Sequence, residues 1–522
     1  RQQIELCAPC HARRSSMDDN PHQLVDFMDY AIPSLLTEGL YFADGQILDE
    51  VYVYGSFMQS KMYARDVRCS DCHDVHSIRR IKDGNALCLQ CHRAAEYDNK
   101  KHHFHKMPGE KGESIRDARG KVLFDDGSCA QCEQCHMPGR YYMGIDYRPD
   151  HSIRIPRPDL SRTIETPNAC NRCHVDKTTD WSVESMGKWY GQRKRPHYGT
   201  ILADGRRLVP EALPELVRLA DDRLYPTIVR ATALSSLSAY PGKESRQAYL
   251  RALSDEEALM RYTALRHFPE EDPRKRLEVA APLLYDPVKA VRIEAARLLT
   301  TVPSAEMSAA VRKRFLTQID EYRQAMAYTG DFPASRHNLG NLYSHTGQYE
   351  KAIENYRKAI EIDREFYPAK VNLAMLYNRL GENAAAEQLL REVATANPEL
   401  YDIKYSLGLL LVEEKKYQEA ADVLFQAAQG LPRRSRIHYN LGLLLQQLQR
   451  DPEAENALKQ ALAIEPNQPE YIYALAVFYL QRQQFEKAQQ LAEKMIADPA
   501  SRSNGERLLT VIEQQRSVSS TP

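Results

Sequence analysis

Five copies of Cys-x-x-Cys-His in the first 174 residues constrain this chain more than anything else in it. They are Cys7-Ala8-Pro9-Cys10-His11, Cys69-Ser70-Asp71-Cys72-His73, Cys88-Leu89-Gln90-Cys91-His92, Cys132-Glu133-Gln134-Cys135-His136 and Cys170-Asn171-Arg172-Cys173-His174. Two thiols separated by two residues reach neighbouring vinyl groups of one porphyrin, and the histidine that follows turns back onto the iron. The pattern predicts five covalently attached haem c groups. The ten motif cysteines would be the attachment points, and His11, His73, His92, His136 and His174 the proximal ligands.

Zinc is the competing chemistry. Fifteen residues separate Cys72 from Cys88, which also suits a four-cysteine zinc site. Zinc does not require a histidine after every second cysteine, and its cysteine pairs must themselves pair. Five pairs is an odd number, and all five carry the histidine. Cys129 is the one cysteine outside the motifs and reads as a buried or free thiol.

Five haems in residues 1–200 leave about 40 residues for each, too few for an ordinary side-chain core. Porphyrin must therefore supply buried apolar surface, and the expected fold is all-α, with short helices and loops wrapped around haem. Each iron also needs a sixth ligand or an open face. The candidate distal ligands are His76, His102, His105 and His151, with His22 and His103 weaker. His102 and His105 share a face of a helical turn. His197 reads as a linker residue. Bis-histidine ligation closes an iron to substrate and suits electron transfer; an iron left open would suit an enzyme.

The segments EVYVYGSFMQSKMYARDVRCSDCHDVHS, GNALCLQCH, KHHFHK, CHMPGRYYMGIDYRPDHSIRIPRPDLS and TPNACNRCH resemble a bacterial family of multihaem cytochromes c with C-terminal tetratricopeptide repeats. The haem packing implied is of the cytochrome c-554 and nitrite/hydroxylamine-oxidoreductase kind. The resemblance further implies electron transfer, and a signal peptide and more haem motifs upstream of Arg1.

After residue 200 the cysteines stop and Ala, Leu, Glu and Gln dominate. Over 201–327 a 31-residue period aligns Val229-Arg230, Met260-Arg261 and Val291-Arg292, as expected of a connector of HEAT-like helix pairs. Over 328–502 the period is 34, carried by Leu339, Leu373, Leu407, Leu441 and Leu475, and predicts five tetratricopeptide repeats. A capping helix and tail occupy 503–522. Asn338, Asn372 and Asn440 recur at positions suited to gripping a peptide backbone.

A net charge of −1 gives no electrostatic case for nucleic acid, and no apolar run reaches the length of a membrane span. Haem is attached outside the cytoplasmic membrane, so the expected location is periplasmic or extracellular. The expected function is a relay of single electrons docked by its repeats to a redox partner or to further copies of itself, extending to a filament. The alternative is a multihaem oxidoreductase of small nitrogen or sulfur compounds.

Overall fold

The 34-residue period becomes five antiparallel helix pairs. They are Pro333–His345 with Tyr349–Ile362, Tyr367–Arg379 with Asn383–Ala396, Tyr401–Glu413 with Tyr417–Gly430, Ser435–Gln447 with Asp451–Ile464, and Pro469–Gln481 with Phe485–Ala497. Helix Arg502–Ser519 closes the stack. The periodic leucines and the alanines Ala352, Ala386, Ala420, Ala454 and Ala488 are buried between helices. Small residues set how closely the helices of a pair approach: a Cβ on Gly340 would stand 2.4 Å from the Tyr356 ring, and one on Gly408 2.6 Å from Leu424.

The computed structural model describes residues 2–19, 25–77, 79–107, 109–110, 114–116, 120, 122–124, 130–191, 196–270 and 272–519. The chain divides into two compact units, Arg1–Thr329 and Gly330–Pro522. In the first, three helix pairs follow the 31-residue period: Ala212–Asp221 with Thr227–Ser236, Lys243–Ala252 with Ala258–His267, and Pro273–Ala280 with Lys289–Leu299. Helix Ala309–Tyr328 follows them.

The arginines of that period form a ladder. Arg230 pairs with Asp255 at 2.6 Å and donates to the Ala220 carbonyl. Arg261 pairs with Asp286 at 2.7 Å and donates to the carbonyls of Asp255 and Glu256. Arg292 pairs with Glu321 at 3.3 Å and donates to the carbonyls of Asp286 and Pro287. Each guanidinium thus satisfies backbone acceptors left open at a turn while its charge is neutralised across the next repeat.

The segment before Lys61 is built onto these helices. Phe27, Tyr30, Leu36, Tyr41, Val51 and Tyr54 are buried. The Leu36 N–H donates to Thr232 Oγ1, and Arg206 donates to the carbonyls of Leu36 and Tyr41. Lys289 pairs with Asp18 at 2.7 Å.

From Lys61 to Met107 the accounting changes: no described residue in that span is buried. Its backbone is nonetheless folded into 3-10 turns, short helices and a small ribbon. The first unit is also not purely helical. Among the described residues, four two-stranded antiparallel ribbons interrupt it. The ribbon pairing Arg140–Tyr142 with Asp146–Arg148 turns through Met143 and Gly144, both at positive φ, where no helix can continue.

Candidate metal centre

Each motif rides a helical turn. Gln2–His11, Cys132–His136 and Ala169–Cys173 are short helices, and Cys69–Asp71 and Gly84–Gln90 are 3-10 turns. Cysteines three residues apart then share one face. The Cys72 and Cys91 N–H groups donate to the carbonyls of Cys69 and Cys88. Asn168 caps the last motif by accepting from the Asn171 N–H at 3.0 Å.

Three of the motif histidines each face a second imidazole. Ring centres are 6.3 Å apart for His73 and His151, 6.2 Å for His136 and His102, and 6.1 Å for His174 and His105. Their ring planes differ by 25°, 12° and 36°. Rings stacked in contact would stand at van der Waals separation, about 3.5–4.0 Å. Two imidazoles trans on one metal, each with a bond of about 2 Å and a ring centre about 1.1 Å behind the nitrogen, stand about 6.2 Å apart.

Several of these rings are locked in one tautomer. Carbonyl oxygens only accept, so Nδ1 must carry the proton in His136, which meets the Arg154 carbonyl at 2.8 Å, and in His151, which meets that of Pro149 at 3.0 Å. His105 Nδ1 meets the His103 carbonyl in the same way. In each ring the Nε2 lone pair is left for a metal. Burial holds His73, His136, His151 and His174 below the usual histidine range, which favours the neutral, ligating form.

His103 is held the opposite way. Its Nδ1 accepts the His105 N–H at 3.1 Å, which puts the proton on Nε2 and leaves no lone pair there. It serves as a clamp on the turn that carries His105, a turn in which Phe104 is left-handed and stacks on Trp189 at 4.8 Å. Replacing His103 with alanine is expected to disturb the electron paramagnetic resonance signal of the His174 iron in the haem-loaded chain, and replacing it with asparagine to restore it. Asparagine Oδ1 accepts an i+2 N–H in the same turn but does not ligate haem iron. An asparagine variant as disturbed as the alanine one would make His103 a ligand.

The other candidates stand apart. His76 is exposed in the turn between His73–Asp74 and Arg79–Arg80, with φ +66°. His22 and Cys129 lie outside the described residues. His197 accepts from the Gly199 N–H at 3.0 Å and so caps helix Tyr198–Arg206; burial, then Arg154 and Arg157, push it down to about 3. Among the described residues, no second imidazole faces His11 or His92. His92 meets the Tyr97 ring edge-on at 5.7 Å.

Sequence reasoning missed Arg154. Its N–H donates to the His136 carbonyl while its own carbonyl takes the His136 Nδ1 proton. Its guanidinium lies 3.6 Å from both Asp44 and Asp150, and Tyr198 and Gln46 complete this buried network through Asp44. The only signal was its place three residues after His151. The amides of Asn372 and Asn440 are already engaged, with Asn341 at 2.7 Å and Tyr405 at 2.8 Å. They tie one repeat to the next.

The residues present fit haem. Among the described residues no three His, Cys, Asp or Glu side chains converge, whereas a zinc site needs four ligands and a haem iron takes only two from the protein. Cysteine is ordinarily among the most buried residue types, yet Cys10 and Cys91 are exposed and the other eight motif cysteines only half-buried.

Models of the tetratricopeptide repeat match residues 333–366, 371–436, 411–474 and 452–512, so the C-terminal helix pairs are tetratricopeptide repeats. No curated protein sequence matches the chain. Similar solved structures include a MamA protein at 20% identity, covering 30% of this chain and 91% of that one with a TM-score of 0.29. Another is MamA 41-end from Desulfovibrio magneticus RS-1, at 15% identity, 36% and 97% coverage and a TM-score of 0.28. A third is YrrB, described as a TPR protein with an unusual peptide-binding site, at 21% identity, 36% and 97% coverage and a TM-score of 0.32.

Proposed function

We propose that this chain is a multihaem cytochrome c of the bacterial kind that carries tetratricopeptide repeats. In this reading it passes single electrons along haems held by the first unit and docks through its repeats to a redox partner or to another copy of itself. The three imidazole pairs at 6.1–6.3 Å carry the reading, because their spacing and tautomers suit iron held from both sides. Bound haem supplies a reversible one-electron iron couple.

The chain's own residues do the rest. Each motif thiol would hold haem by adding across one vinyl double bond, sulfur to one carbon and hydrogen to the other, so that nothing leaves. His11, His73, His92, His136 and His174 would hold the irons from the motif side, and His151, His102 and His105, which face His73, His136 and His174, would hold three of them from the other. Donation from Nδ1 to a carbonyl raises the basicity of Nε2 and so favours the oxidised metal. Because the attachment chemistry takes place beyond the cytoplasmic membrane, the location is periplasmic or extracellular. Among the described residues no helix is long and apolar enough to cross a membrane.

A second reading has an observation of its own. Since neither His11 nor His92 faces another imidazole among the described residues, an iron at one of them could turn over a small nitrogen or sulfur compound. Pyridine haemochrome analysis with low-temperature electron paramagnetic resonance of the oxidised protein tests both. Five haems per chain, with at least three irons low-spin, is the expected result. A high-spin fraction that binds carbon monoxide on reduction would favour the enzyme, and a chain holding zinc and no haem would overturn both.

A further inference from the structure

We propose that the five attachment sites stand in one unbranched row in chain order, with the Cys88–His92 site as the only link between the first two and the last two. The inference rests on the relay reading above and adds the route.

The contacts between motifs give the order. The Cys7 and Cys69 thiols are within hydrogen-bonding reach, and Gln3 accepts from the Ser70 hydroxyl at 3.0 Å. The second and third motifs join where Gln90 donates to the Asp71 carbonyl at 2.9 Å, with Cys72 beside Cys88 and Cys91. The Cys88 and Cys132 thiols share a hydrogen bond, and Asn85 fastens the same junction. It donates to the Ala130 carbonyl at 2.9 Å and accepts from the Cys132 N–H at 2.8 Å.

Helix Cys132–His136 packs on helix Ala169–Cys173. The fourth and fifth sites also draw their distal histidines, His102 and His105, from one turn of chain. A vinyl carbon is one bond from the thiol that captures it. Two thiols in contact therefore bring two porphyrin edges together at each of the pairs Cys7/Cys69 and Cys88/Cys132.

One contact competes with this order. Arg80, on the ribbon strand that follows the second motif, pairs with Glu133 of the fourth motif at 2.5 Å. If that junction also brings porphyrin edges together, the third site is bypassed.

The test uses the full haem-loaded chain with Cys129→Ser and a photoreductant on Val175→Cys, an exposed position next to His174. Flash-driven electrons enter at the fifth site, and haem reduction is followed by absorbance. All five haems are expected to reduce in one fast phase. With Cys88→Ala/Cys91→Ala added, intact mass should show four haems, of which two reduce in that phase and two lag.

Cys7→Ala/Cys10→Ala, which removes one end of the row, should leave four haems that all reduce quickly. Four haems reducing together in the Cys88→Ala/Cys91→Ala chain would overturn the order. The milder His92→Met keeps both thioethers and gives its haem a distinct absorption. Methionine raises the potential of that haem, so it should trap the electron within the fast phase and before the first two sites are reduced; reduction after those two would equally overturn the order. Intact mass reports the relay reading separately, since a parent chain without haem defeats it before any flash is fired.

Discussion

Replacing all ten motif cysteines with alanine is expected to abolish the fold of residues 61–107 and to leave the tetratricopeptide unit intact. Fixing each backbone residue costs about 1–2 kcal/mol in conformational entropy. In most domains, buried apolar side chains offset that cost at about 25 cal/mol per Å². Between Lys61 and Met107 no described side chain is buried, and Val75, Ile81 and Phe104 are exposed. On the haem reading, the offset would come from porphyrin packed against the face that carries the cysteines. Gly330–Pro522 has its own core, running from Ala352 to Ile512. Amide hydrogen exchange on the full chain should show protection near background across 61–107 in the alanine variant and unchanged protection across the repeats. Equal protection of 61–107 with and without attached haem would refute the argument.

The second large effect belongs to the arginine ladder. Arg261→Ala is expected to destabilise the first unit by about 3–5 kcal/mol, because it leaves Asp286 as an unpaired buried carboxylate. The side chains of Arg261 and Asp286 are only 12% and 3% exposed. The same substitution strips the carbonyls of Asp255 and Glu256 of their donor. Arg261→Lys should recover little, since an ammonium cannot reach a carboxylate and two carbonyls in one plane. Arg261→Ala combined with Asp286→Ala should recover part of the loss, because no charge is then left stranded. Urea unfolding followed by hydrogen exchange within 212–299 gives the measurement. A loss below about 1 kcal/mol, the level of a surface ion pair, would show that the ladder is ornamental.

Much of this was legible before any coordinates, for reasons that can be stated residue by residue. Leu339 and its successors recur every 34 residues because each repeat buries the same face, and a period survives without knowledge of neighbours. The candidate proximal histidines stood out because the attachment motif ties each to its cysteines in sequence. Distal histidines carry no such local tie. His103 and His105 look alike in KHHFHK, and only the structure shows that His103 Nδ1 accepts the His105 N–H while the His105 ring faces His174. Arg261 was visible as an aligned position but not as a ladder, because its partner Asp286 lies 25 residues away in the next repeat. Asn372 and Asn440 looked free for a ligand, since the side chains they grip in the preceding repeat cannot be read from the period alone. The ribbons were missed because two- and three-residue strands leave no alternation to detect.

On the haem reading, the span from Lys61 to Met107, which has no buried side chain among its described residues, would give the cell a way to audit its product. On that reading, a chain that failed to load its haems would expose an unstructured stretch of some dozens of residues beside folded helical repeats. Proteases cut such stretches and spare compact ones. Loading would thereby be converted into lifetime, and unloaded copies would be removed before they could dock.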